Sequence, residues 1–143
     1  MISKNVEEKI KVYETPIYSI FIVLVNTRKE FIFISDGNLY GFPGEEVFGW
    51  DSIANQVIDI LRSKLPLTKC VFTDVFFGEQ DGHAVAYFFA ENATVYYDSP
   101  ATKKLKAWEV ETALSGIFPR QIAEEHVPAV EHFLEKLLYV ESI

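Results

Sequence analysis

The apolar positions of this chain fall into short blocks separated by turn residues, and the period of the blocks changes part-way along. Residues 17–26 read IYSIFIVLVN, β-branched and aromatic and almost continuously apolar, the pattern of a central strand covered on both faces. A polar Thr27-Arg28-Lys29 turn leads into Glu30-Phe31-Ile32-Phe33-Ile34-Ser35, the second arm of a hairpin. Asp36-Gly37-Asn38 is a turn, after which residues 39–42 make a short strand into Pro43-Gly44. The whole stretch 39–67 then reads as strand, Gly-containing loop and an amphipathic helix stopped by Pro66, a junction where ligand sites are commonly built in α/β proteins. In that helix, from residue 51 or 52 to 65, Ile53, Val57, Ile60, Leu61 and Leu65 share one face. Lys64 falls inside the same stripe, while Asn55, Asp59 and Arg62 point away. Asp51 and Ser52 each carry an oxygen able to cap the first turn.

Beyond Pro66 the period returns to that of strands. Residues 70–77 and 83–90 are predicted strands around a loop 78–82, in which Asp81-Gly82 is a hairpin signal. A short strand at 93–97 and a polar loop at 98–104 follow, and residues 106–110 read as a last strand leading into a short helix near 111–114. Gly116 and Pro119 punctuate the chain before a helical pattern over 120–139, where Pro128 either kinks the helix or opens a new one at its first turn. At the other end, residues 3–13 form a short helix or an irregular lead-in, so that 1–15 precede the body of one α+β domain spanning 1–143.

Composition narrows the class. With 143 residues, 49% apolar and 15% aromatic, the chain fills one substantial core, and its 12 Phe and 7 Tyr favour sheet. A net charge of −8, with only the short basic clusters Arg28-Lys29 and Lys103-Lys104-Lys106, excludes a surface that tracks nucleic-acid phosphates. Cys70 has no partner for an intrachain disulfide, which fits a reducing cytoplasm, and it begins an apolar strand where an inert thiol is expected. The polar, mixed-charge start lacks the apolar core of a signal peptide, and the most apolar run, 17–25, is about half a membrane span. A cytoplasmic protein without membrane contact is the expectation.

Candidate chemistry centres on the loop and helix. Phe42-Pro43-Gly44-Glu45-Glu46-Val47-Phe48-Gly49-Trp50-Asp51-Ser52 aligns without a gap on L-P-G-G-x-V-E-x-G-E-S, the signature of the Nudix superfamily. Pro43, Gly44, Val47 and Ser52 agree with it, and Asp51 stands for the Glu near the helix start. Lys106-Ala107-Trp108-Glu109-Val110 followed by Ala113-Leu114 is similar to the family's late W-x-x-x-E-A-L region, so the resemblance covers residues 17–138. It implies an αβα sandwich with a mixed sheet. It also implies cleavage of nucleoside diphosphates linked to another group, with Mg²⁺ or Mn²⁺ held mainly by glutamates of the box G-x5-E-x7-R-E-U-x-E-E-x-G-U, where U is a bulky aliphatic.

That box is degenerate here. Its first Gly is Glu45, its first Glu Asp51, the Arg-Glu pair Asp59-Ile60, the Glu-Glu pair Ser63-Lys64 and the later Gly Pro66, while Leu61 and Leu67 keep the aliphatic positions. A hard divalent ion needs oxygen ligands. Ile60 offers none, Ser63 a neutral one, and Lys64 brings a positive charge. The expectation is therefore no metal site and no cofactor: a catalytically inactive ligand-binding or interaction module for a nucleotide-like small molecule or a protein partner, with a homodimer as a further possibility. Gly44, Trp50 and Lys64 are the ligand-binding candidates. Trp50, with Phe48, either stacks on a base or simply packs. Lys64 either meets a phosphate or carboxylate in the metal's place, or favours the helix dipole from the last turn with its head in water. The alternative is a Mg²⁺-dependent hydrolase of a nucleoside diphosphate derivative using displaced acids. Its candidate catalytic residues are Glu46 and Asp51, with Glu45 and Asp59 nearby and Glu79, Asp81 and Glu91 in later loops. His83 begins a strand, and His126 and His132 are poorly spaced for a shared metal.

Overall fold

Alternation along one strand divides the molecule into layers. A computed structural model describes residues 2–36, 39–49, 52–96, 99–115 and 121–141. In β1 (Ile17–Asn26), Ile20, Ile22 and Leu24 enter one apolar core, and Val23 and Val25 enter a second on the opposite face. A strand buried on both sides has no polar face, which is why its sequence reads as a continuous apolar run. The first core is closed by α1 (Lys4–Val12) and α2 (Ile53–Lys64), the second by α3 (Ala107–Leu114) and α4 (Val127–Glu141). The architecture is thus an αβα sandwich about a mixed sheet.

The remaining strands are β2 (Glu30–Asp36), β3 (Leu39–Gly41), β4 (Gly44–Glu46), β5 (Asp74–Gln80), β6 (His83–Ala93) and β7 (Thr102–Lys106). They are ordered β3-β2-β1-β6-β5, with β4 also beside β1 and β7 also beside β2. Only the long β1–β6 pairing is parallel among these ladders. On its other edge β1 is shared: Ser19, Ile20 and Phe21 face β4, and Leu24 and Val25 face β2.

Several elements differ from the sequence expectation. Residues 44–46, read as loop, form β4, because the first half of β1 needs a partner that β2 does not reach. The loop expected at 78–82 shrinks to the Asp81-Gly82 turn, both residues left-handed (φ 53° and 79°), and the β5–β6 ladder runs out to Gln80 and His83. No separate strand forms at 93–96: β6 continues to Ala93, and Thr94 makes an isolated bridge to Lys69. The expected loop 98–104 contains the start of β7, whose only buried residue is Leu105. The last strand expected at 106–110 is instead the beginning of α3, because the Glu109 carboxylate accepts from the Lys106 backbone N–H (3.0 Å) and caps the helix there. Of the alternatives at the N-terminus the chain takes the helix, capped by Ser3, and Pro128 lies in the first turn of α4 after a 3-10 turn at Glu124–His126. Gly37, Asn38, Gly116 and Pro119 lie outside the described residues. No described helix is long and apolar enough to cross a membrane.

The two helical layers are joined across the β5 edge by Asp74. Its carboxylate accepts from Lys9 of α1 at 2.9 Å, from Lys136 of α4 at 3.2 Å and from the Val75 N–H at 2.8 Å, with His132 3.9 Å away. Burial alone raises the carboxyl pKa, but the bonds from Lys9, Val75 and Lys136 outweigh it and hold Asp74 below the ordinary carboxylate range. A depressed carboxyl contributes stability that is complete above its unfolded pKa, near 3.9, and is lost as pH falls through the lower folded value. Asp74→Asn keeps the shape and removes the charge. It should cost about 1–2 kcal/mol at pH 7, tempered by solvent around the half-exposed lysines. In urea unfolding the gap from the parent should close as the pH is lowered below 4.

Candidate functional site

The junction between β4 and α2 is shaped first by packing. Phe42 is buried in the α3–α4 core, and the Pro43 carbonyl accepts from the Ile22 N–H at 2.9 Å. At Gly44 a Cβ would overlap the Phe21 ring and the Ile20 carbonyl, so only glycine lets β4 lie this close to β1. Val47 then donates its N–H to the Tyr18 carbonyl (2.8 Å) and packs on the α1–α2 core.

Helix α2 begins at a Ser52 cap, whose hydroxyl accepts from the Asn55 N–H at 3.1 Å. Val57, Ile60 and Leu61 are buried from the helix and Leu65 just after it, while Asn55, Asp59 and Arg62 are exposed as their positions predict. Ile60 is 0% exposed and sits in the core with Ile20, Ile22 and Leu24. Lys64, placed by periodicity in the apolar stripe, is exposed in the last turn, where its charge faces the carbonyl end of the helix. Gln56 takes a buried place that the apolar pattern did not reveal. Its amide donates to the Glu46 carbonyl (2.6 Å) and accepts from the Phe48 N–H (3.0 Å), clasping the loop to the helix.

Glu46 is exposed at the end of β4, and its carboxylate accepts from the Tyr18 hydroxyl at 3.0 Å. That bond, then the carboxylate charge, then slight desolvation raise the Tyr18 pKa. The half-exposed Tyr18 ring stacks on His83 at 4.5 Å and 20°. Deeper on the same side, Tyr87 and His126 form a buried polar pair that sequence spacing missed, since they lie 39 positions apart. The Tyr87 hydroxyl and His126 Nδ1 are 2.8 Å apart, and the Gln80 amide donates to that hydroxyl at 2.7 Å. Burial raises the Tyr87 pKa and lowers that of His126, favouring the neutral imidazole, whose edge meets the Phe21 and Phe42 rings at 4.7 and 5.3 Å.

No family model and no curated protein matches the chain. Solved structures do. The ORF135 protein of E. coli, known from a solution structure, superposes with a TM-score of 0.57 at 13% identity over 85% of this chain and 91% of that one. A MutT protein from Methanosarcina mazei Go1 gives the same TM-score at 14% identity over 87% and 97%. The fold is Nudix-like. In the register of the sequence resemblance, the Glu-Glu pair of the Nudix box falls on Ser63-Lys64, both exposed, and the Glu of its Arg-Glu pair on the buried Ile60. Ser63 turns its hydroxyl back onto the Ile60 carbonyl at 3.2 Å. Glu79 and Asp81 line a groove of about 460 Å³ with Glu124 and Glu125, at the far end of β5 from Asp74. Glu91 is half-buried on β6. Among the described residues no three His, Cys, Asp or Glu side chains gather in a group able to hold a metal ion. Trp50 and Asp51 lie outside the described residues. The donor set that is described does not fit the divalent cation of the Nudix box.

Restoring the box carboxylate tests this placement. Ile60→Glu should lose about 3–5 kcal/mol in urea unfolding followed by circular dichroism, because it puts a carboxylate into an apolar core. Lys64→Glu should change stability by no more than about 1 kcal/mol. Near-parental stability of Ile60→Glu would place residue 60 on an open cleft instead.

Proposed function

We propose that this chain is a Nudix-fold binding module that lacks the metal-dependent diphosphate hydrolysis of the conventional box. The observation that carries the reading is Ile60: a box position that needs an outward carboxylate is an alkyl group wholly inside the core. The exposed ammonium of Lys64 adds a charge of the wrong sign for a cation on the next turn. The ligand is a nucleotide-like small molecule, recognised through its ring. The Tyr18–His83 stack offers a planar surface at the mouth beside β4, and the Glu46 carboxylate next to it accepts hydrogen bonds from base or sugar while repelling phosphate.

The competing reading is a Mg²⁺-dependent hydrolase built from displaced acids, and the shared groove of Glu79, Asp81, Glu124 and Glu125 is what favours it. Calorimetric titration with Mn²⁺ and Mg²⁺, and turnover against a panel of nucleoside diphosphate derivatives, separate the two. The binding module gives no saturable metal binding and no turnover above the uncatalysed rate. It also gives ligand-induced thermal shifts that survive chelator and shrink in Tyr18→Ala. Saturable metal binding with turnover lost in Glu46→Gln or Asp51→Asn would establish the hydrolase.

A further inference from the structure

The hairpin of β5 and β6 leaves one side of β5 open. In a hairpin closed by a two-residue turn the flanking residues, here Gln80 and His83, exchange both hydrogen bonds. Alternation then turns the backbone of Asp74, Phe76, Gly78 and Gln80 toward β6, and that of Val75, Phe77 and Glu79 away from it. The outward N–H of Val75 is taken by the Asp74 carboxylate at 2.8 Å. Among the described residues, no group pairs with the outward N–H and C=O of Phe77 and Glu79.

The other outer strands are guarded. β3 has residues 121–123 on its free side, where the Tyr40 N–H donates to the Gln121 carbonyl at 2.7 Å and the Ala123 N–H to the Tyr40 carbonyl at 3.0 Å. β7 carries Lys103, Lys104 and Lys106, charges that keep another strand away, and β4 is only three residues long. Residues 76–80, Phe-Phe-Gly-Glu-Gln, hold neither lysine nor proline. Aromatic rings flank this open edge on both faces. On the α1 face Tyr13 stacks on Phe77 at 3.9 Å and 4°, with Val12 beside it 76% exposed. On the α4 face His132 stacks on Phe76 at 4.8 Å.

We propose that a second copy of this chain pairs along this edge, β5 against β5, antiparallel about a two-fold axis at Phe77. The strand is self-complementary in that register. Phe77 faces its own counterpart and exchanges both hydrogen bonds with it, and the Glu79 N–H donates to the second copy's Val75 carbonyl. Gly78 falls opposite Phe76, whose ring covers the place of the missing side chain. Asp74 falls opposite Gln80 and Glu79 opposite Val75, so no acid faces an acid although each copy carries a net charge of −8. A slip that centred the axis on Glu79 would set that carboxylate against itself. The shared edge is short, so the association is weak and concentration-dependent, and it needs neither metal nor ligand.

Sedimentation equilibrium of the full chain, with amide NMR over a dilution from about 1 mM to about 10 µM, tests the pairing. The chain should pass from dimer to monomer, with dilution shifts confined to residues 74–80 and the neighbourhood of Tyr13. Phe77→Lys and Phe77→Glu should each weaken self-association at least about tenfold, because the changed residue meets its own like charge, while an equimolar mixture of the two restores it. Only a residue on the two-fold axis behaves in that way. Glu79→Pro removes an outward N–H and keeps the ladder to β6, so it should weaken association too, and it serves where a change at 77 unsettles the Tyr13 stack. A chain still monomeric at about 1 mM, a dimer whose shifts fall elsewhere, or a Phe77→Lys variant that associates as tightly as the parent would overturn the proposal. Tighter binding of a synthetic Val-Thr-Val-Thr-Val strand than of a second copy would assign the edge to another protein's strand and overturn the self-pairing.

Discussion

Helix α2 is held to the sheet by two kinds of contact that do not substitute for each other. Val57, Ile60, Leu61 and Leu65 bury an apolar stripe on Ile20, Ile22 and Leu24 of β1, which sets the helix's distance and rotation but slides easily along its axis. The Gln56 amide fixes the remaining freedom, because its two bonds reach two different backbone groups of the preceding loop, at Glu46 and Phe48. Once rotation is fixed in this way, the identity of each outward position follows. Ile60 cannot turn out of the core without dragging Val57 and Leu61 with it.

The positions at which this sequence agrees with the Nudix signature are positions that shape the fold. Pro43 supplies a carbonyl to Ile22, Gly44 admits the Phe21 ring, Val47 packs on the α2 core, and Ser52 caps the helix. Each of the four has a structural role here that is indifferent to catalysis. Residues 60, 63 and 64 have no such reason to be carboxylates. Isoleucine at 60 extends the apolar stripe, and lysine at 64 favours the helix C-terminus.

Periodicity made the central strand, the helix 53–64 and its exposed face legible, because burial on a sheet writes itself directly into spacing. The same logic failed wherever pairing rather than burial decided. β4 is three residues long and largely polar, and it exists because β1 leaves its first half open. β7 has one inward residue, Leu105, too few for a strand signal, and the Trp108 region joined α3 because of a cap made by Glu109. The site was legible to a similar degree. Its apolar stripe could be placed from sequence, whereas Gln56, Tyr87 and His126 are polar residues in buried positions, and their partners are set by the sheet's register rather than by any local pattern.

Charge is redistributed along with these elements. On α2 the outward acidic residue among those described is Asp59, while the last turn presents Arg62 and Lys64. Lys69 joins them from the following loop, while Glu79, Asp81, Glu124 and Glu125 line an acidic groove at the β5–β6 turn. The exposed end of α2 offers cations, which offset the negative end of the helix dipole locally. An anionic group approaching that end meets favourable charge without any bridging ion, and the acidic groove on the other layer repels it. The two faces of α2 are therefore set independently: the apolar stripe seats the helix on the sheet, and Arg62, Lys64 and Lys69 make its exposed end cationic.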